Sequence, residues 1–348
     1  MTTLAANSQA NINSLFDAAQ AQDSQTSSQP ASQQDTKQLA KTLKKQMGAV
    51  RLAKSRWQLT RRLERPQVQK VANEFQADIR AIGASKKLID PRAPKYRACC
   101  RIINEARTYW KSVTIPFPED GIRLIRRDRM AKFAETMQQF KTSLVAAASE
   151  LQAAYADIRV DAATRLGELF NSADYPDDIT GLFDIQWDFP PVEPPNYLLE
   201  ADPTGKLYQQ QVDLMEARFQ EAIAMTEDAF LKAFRDMVQH LADRLQWGEP
   251  DQETGERKPL VFRDSAVENL QAFFEQFKAL NVGSNHDLEK LVEQAQQIVG
   301  DKTAADFRKD LTERQVVQQG MAQITAKLDQ MMVARPTRQM SFVSDDEE

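Results

Sequence analysis

Two histidines and two cysteines are all the chain has of either type, and the cysteines are neighbours, Cys99 and Cys100. Adjacent cysteines rarely bridge, so no disulfide framework is expected, which fits a reducing cytoplasm. With His240 and His286 far apart and no CxxC or HExxH spacing, the pattern of a zinc centre is missing. Glycine is also scarce, at 11 of 348 residues. Neither GxxxxGK[ST] nor GxGxxG occurs, so no glycine-rich loop is expected to wrap a nucleotide phosphate. A GxSxG elbow is absent as well, and no histidine lies near the cysteines in sequence. No apolar run approaches the roughly 18 residues of a membrane span. The first residues carry neither a basic stretch nor an apolar core of a leader, so none is expected. These absences leave no enzyme signature, no cofactor and no small-molecule substrate to infer.

What is abundant is helix-forming. Ala, Gln, Leu, Glu, Lys and Arg dominate a chain that is 42% hydrophobic and 27% charged. Fifteen prolines punctuate it and leave three long gaps, 119–175, 204–249 and 260–335. In the first gap Met130, Phe133, Met137, Phe140, Leu144, Ala147, Leu151, Ala154 and Ile158 recur at spacings of three and four. That is the stripe of a packed helix, expected over about 127–171. Tyr208 to Leu245 repeat the pattern over 204–246, with Gly248 placed for a left-handed cap. Three shorter helices follow, opened by Ser265/Glu268, Ser284/Asp287 and Thr303/Asp306.

Upstream, Leu39, Leu43, Met47, Val50 and Trp57 suggest a helix over 37–64, and 67–82 and 95–112 read as helical too. Val113–Phe117 and Phe183–Phe189 favour strand and are expected to pair with each other. The fold class read from this is all-α: an elongated bundle with two or three long antiparallel helices and a very small β element. The expected organisation is a Gln/Ser-rich disordered tail over 1–36, a basic helical region over 37–112, and a long helix with a Pro-rich connection over 113–203. The bundle continues over 204–334, and 335–348 form an acidic tail.

Charge is divided unevenly along the chain. Residues 1–132 hold 25 Lys/Arg against 11 Asp/Glu, and the remainder hold 20 against 39. The net −5 is therefore +14 plus −19. Between Lys37 and Arg65 ten cations accompany one acid, Glu64. A face of that density can neutralise phosphates and release counterions. The candidate nucleic-acid contacts are Lys37, Lys41, Lys44, Lys45, Arg51, Lys54, Arg56, Arg61 and Arg62, joined by Arg97, Arg101 and Lys111. Trp57, Tyr96, Tyr109 and Trp110 sit among them, as bases stacked by a single-strand binder require. The other reading of the same residues is core aromatics and a basic surface docked on acidic helices of this chain, a second copy or another protein. Asp174, Asp177 and Asp178 form a carboxylate cluster, read either as a cation site or as an acidic helix start.

The stretch Ile82-Gly83-Ala84-Ser85-Lys86-Lys87-Leu88-Ile89-Asp90-Pro91 resembles a G-[S]-K-K-L-[I]-D-P segment of an uncharacterised, all-helical family from bacteriophages and mobile elements. In that family a helix follows, then an extended piece ending in Val/Ile-Pro, here Val113-Thr114-Ile115-Pro116. Phe262-Arg263-Asp264-Ser265 and Leu280-Asn281 also look similar. The resemblance implies an accessory or adaptor protein encoded near DNA-metabolism genes or MoxR-type AAA ATPases. It carries no catalytic residue with it; Lys86, Lys87 and Asp90 are the matched positions. Two functions follow as expectations: a non-enzymatic cytoplasmic protein that meets nucleic acid through its basic helices, or a coiled-coil adaptor, an ATPase partner or self-associating protein, that does not.

Overall fold

The computed structural model describes residues 33–250, 257–260 and 264–333. The expected tails over 1–36 and 335–348 lie almost wholly outside them. The chain forms two compact units, one built from residues 46–211 and the other from the preceding and following segments.

The all-α expectation does not hold for the first of these, the sheet unit. At its heart is a four-stranded antiparallel sheet in the order β4-β5-β1-β6. The strands are β1 (Met47–Ser55), β4 (Ile115–Pro116), β5 (Ile122–Arg126) and β6 (Asp184–Asp188). A separate ladder joins β2 (Thr60–Arg62) to β3 (Ser85–Lys87). The helix expected over 37–64 is thus a helix α1 (Gln33–Gln46) followed by the central strand. Short apolar runs do not distinguish helix from strand by spacing, and here the partners decide. Met47 through Arg51 register against Arg126 through Ile122, and Arg51 through Ser55 against Asp188 through Asp184. Gly48 suits the strand because Met130 Sδ would lie 3.2 Å from any Cβ there. The two stretches expected to pair with each other are instead the two edges of this sheet.

Three helices complete the unit's core: α3 (Pro94–Ser112), α4 (Met130–Ala153) and α5 (Tyr155–Leu166), with the short α2 (Arg65–Glu74) beside them in sequence. The single helix expected over 127–171 is interrupted at Ala154, whose φ and ψ of −94° and 3° leave the helical range. Tyr96, Cys99, Ile103, Ala106 and Trp110 make the buried stripe of α3 and pack with Phe133, Met137, Leu144 and Leu151 of α4. Tyr109 stacks on Phe133 at 5.9 Å between ring centroids. Burial of this many large apolar groups, at about 25 cal/mol per Å², is the main favourable contribution to this half of the chain.

The helical unit contains α1, the short hairpin β7 (Trp247–Pro250) and β8 (Arg257–Pro259), and five helices. After the short α6 (Tyr197–Ala201) of the sheet unit, these are α7 (Lys206–Leu245), which begins six residues before the unit does, then α8 (Ser265–Leu280), α9 (His286–Val299), α10 (Ala304–Lys309) and α11 (Leu311–Val333). The stripe expected on α7 is buried from Phe219 through Leu245. Phe230 and Phe234 meet Phe273, Phe274 and Phe277 of α8 in an aromatic cluster, with Phe234 and Phe273 stacked at 5.3 Å. No left-handed cap forms at Gly248, where the chain has entered β7. The last carbonyls of α7 are met instead by Arg314, 2% exposed, which donates to Arg244, Leu245, Gln246 and Leu260. Helix starts agree in place but not always in residue. Thr303 and Asp306 make the expected capping box. Asn285 rather than Ser284 caps α9, and Asp264 rather than Ser265 precedes α8, bonded to Arg308.

Candidate nucleic-acid interface

The sequence groups its cations by proximity along the chain; the fold sorts them by partner. Lys37, Lys41, Lys44 and Lys45 ride on α1, assigned to the helical unit, and the Lys37 side chain lies outside the described residues. Arg51 and all later candidates belong to the sheet unit. Arg51 is neutralised across the sheet by Asp188, its register partner: Nε donates to Oδ1 at 3.0 Å and Nη2 to Oδ2 at 2.6 Å. That forked pair raises the Arg51 guanidinium further and holds Asp188 below the usual carboxylate range. Arg61 lies 3.8 Å from Asp174, and Arg101 lies 3.7 Å from Glu105 one turn on. These three have partners within the chain.

Lys54, Arg56, Arg62, Arg97, Arg107 and Lys111 are all exposed and have no carboxylate partner among the described residues. Five of them lie along one side of α3. Side chains two apart on a strand share a face, so Val50, Leu52 and Lys54 point the same way. Val50 belongs to the core and Leu52 packs against it. Lys54 therefore emerges at the core's rim, against α3. On that helix the residues bordering the buried stripe are Cys100, Asn104, Arg107 and Lys111, at helical spacing. The outcome is a 490 Å³ recess walled by Lys54, Ser55, Arg56, Gln58, Asn104 and Arg107. It shares Asn104 and Cys100 with a shallower 960 Å³ groove that runs along α3 past Arg97, Arg101, Thr108 and Ser112. Partial burial, then the Arg107, Arg56 and Lys111 charges, hold the Lys54 ammonium below the usual lysine range.

Three of the four aromatics offered as a stacking platform are in the core. Trp57, Tyr96 and Trp110 are buried; Tyr109 is half-buried, lines the groove and has one ring face stacked on Phe133. Trp57 meets Tyr155 and Tyr175 edge-on. Arg123 lies 5.7 Å over the Trp110 ring while donating to Thr114 Oγ1 and O at 2.7 and 2.8 Å. Large apolar rings found a better environment in the core than at a wet surface. Arg107 is the one cation walling the recess outside the predicted set; it lies in the same basic run of sequence, and its helical position relative to Arg97 and Lys111 is the signal that marks it.

The segment that carries the family resemblance is structural here. Leu88 and Ile89 are fully buried, and the Leu88 carbonyl accepts from Tyr175 Oη at 2.7 Å. Lys86, 7% exposed, bonds Asp174 Oδ2 and the Leu169 carbonyl, both at 2.7 Å. Asp90 accepts from the Arg92 backbone, forming the turn that leads into α3. Asp174 is thereby taken, and Asp178 accepts from both the Thr180 N–H and its hydroxyl. Among the described residues no group of three or more His, Cys, Asp and Glu is arranged to hold a metal ion, and no helix is long and apolar enough to cross a membrane. Cys99 is buried, which pushes its thiol up to about 11, and His240 is exposed on α7.

No family model matches the chain, and no curated protein or solved structure matches it either.

Proposed function

We propose that the chain is a non-enzymatic binding protein whose sheet unit contacts the phosphate backbone of nucleic acid through the α3 surface, acting in the cytoplasm as an accessory protein of a bacteriophage or mobile element. The observation that carries the binding reading is the gathering of Lys54, Arg56, Arg97, Arg107 and Lys111 on one side of α3 without a carboxylate to neutralise them. Cations assembled this way repel one another and are relieved by a polyanion, which also gains entropy from the counterions it releases. Because Trp57, Tyr96 and Trp110 are buried and Tyr109 is already stacked on Phe133, the contact is to backbone rather than to stacked bases. The phage or mobile-element assignment rests on the sequence resemblance alone, carried by residues 82–91, 113–116, 262–265 and 280–281.

The test is a fluorescence-anisotropy titration of the full chain with a mixed-sequence oligonucleotide, single- and double-stranded, across a range of salt. Binding is expected to weaken steeply with salt. The R56E/R107E/K111E variant should lower the slope of log K against log salt by roughly 2–3, as loss of three phosphate contacts does. An unchanged slope overturns the reading. So does equal binding of polyglutamate, which favours the adaptor alternative with an acidic protein partner. Cys100, half-buried and lining both the recess and the groove, offers a second readout: bound oligonucleotide should protect it from alkylation.

A further inference from the structure

We propose that the recess at the end of β1 is built for a terminal phosphomonoester, so that the sheet unit engages a phosphorylated strand end and lays the adjoining nucleotides in the α3 groove. The proposal rests on the nucleic-acid reading above and adds which phosphate the recess takes.

Three features separate the recess from the rest of the basic surface. The first is charge. Lys54, Arg56 and Arg107 converge on it, and no carboxylate lines it, whereas in the groove Arg101 is paired to Glu105 and Arg92 to Asp90. An internal phosphodiester brings a single negative charge. A monoester brings about −1.5 to −2 near neutral pH, which answers the three cations more completely. The second is donor chemistry. Two guanidinium forks, an ammonium, the Ser55 hydroxyl and the Asn104 and Gln58 amides surround the space. A monoester presents three free oxygens to these donors where a diester presents two, so more of the donors are satisfied at once. The third is shape. At 490 Å³ the recess exceeds a phosphate group and leaves room for the attached sugar. The 960 Å³ groove, reached at Asn104 and Cys100, continues in the direction a strand would leave. Lys54 sits at the strand end and Arg107 on α3, with Arg56 in the connection that follows β1, and the strand and the helix are anchored by the core through Val50, Leu52, Cys99 and Ile103.

The experiment compares oligonucleotides of one sequence carrying a 5′-phosphate, a 3′-phosphate or hydroxyls at both ends, each competing for the full chain at fixed ionic strength. One phosphate-ended strand is expected to bind about ten-fold or more tightly than the hydroxyl-ended strand, the gain of a few charge-assisted hydrogen bonds. R107Q should abolish that preference while leaving the residual salt-dependent binding, and R107K should restore part of it. Circular dichroism of both variants checks that the fold is intact. Equal affinity of all three strands overturns this proposal and spares the nucleic-acid reading. Absence of binding by any strand overturns both. A phosphoserine peptide that binds as tightly as the phosphate-ended strand overturns the assignment to a nucleic-acid end.

Discussion

Arg51 and Lys54 stand three residues apart on one strand and meet opposite fates. Arg51 faces Asp188 and is neutralised; Lys54 faces Arg107, Arg56 and Lys111 and is not. The second environment has a consequence in pH. The Lys54 ammonium lets go of its proton below the range of an unfolded lysine. Between those two values the unfolded chain binds more protons than the folded one, so the contribution of Lys54 to stability rises with pH. Anion affinity needs the ammonium and runs the other way. Oligonucleotide binding at fixed ionic strength should therefore weaken as pH rises through that window. It should weaken less in K54R, whose guanidinium keeps its proton. Lys86 belongs at this scale too. It is buried against Asp174 and the Leu169 carbonyl, with Arg61 at the far carboxylate oxygen. K86M leaves that carboxylate half-buried with one distant cation, and urea denaturation should show a loss of about 3 kcal/mol, at the low end for a broken buried pair because Arg61 remains.

The helices were readable because their determinants are local. Proline-free stretches, a three-four stripe and a capping Thr303 all act within a few residues of themselves. The sheet was not, because β1 becomes a strand only through β5 and β6, and the Arg51–Asp188 bond spans 137 residues. The cations of the site were legible by type and by run. The Arg101–Glu105 pair, one helical turn apart, is local; which cations are spent on Asp188 and Asp174 depends on those same distant pairings, so the sequence could not sort Arg51 from Lys54. Packing between helices is likewise decided across the chain. Gly320 of α11 lets α9 approach so closely that an added Cβ would lie 3.0 Å from Ile298 Cδ1. G320A gains about 1 kcal/mol of helix propensity and meets an overpacking cost of about 1–3 kcal/mol, so a net loss of about 1 kcal/mol is expected. I298V removes the offending methyl. The double variant should be more stable than the sum of the two single changes by about 1 kcal/mol in a thermodynamic cycle.

The charge split along the chain and the division into units do not coincide: the basic N-terminal stretch supplies α1 to one unit and just over half of the other. Each unit has its own apolar centre, the α3–α4–sheet cluster in one and the phenylalanine cluster in the other. Three of the four tryptophans, Trp57, Trp110 and Trp187, report on the first. F273A removes a ring that contacts four others and should cost about 4 kcal/mol where it acts. Far-ultraviolet circular dichroism should then show an early helical transition while tryptophan emission keeps its midpoint. A common shift in both signals would mean that the two centres melt as one.

Because β1 is hydrogen-bonded on one half by residues 122–126 and on the other by residues 184–188, its last few residues have no neighbour until Asp188 has been synthesised. At about 5–20 residues per second, the ribosome leaves that open edge waiting for several seconds at least. Lys54 and Arg56 stand beside it. Positive charge on an unpaired strand discourages it from adding onto a neighbouring nascent chain. The residues proposed to greet a phosphate in the finished protein thus also place charge beside a strand edge that stays open while the chain is made.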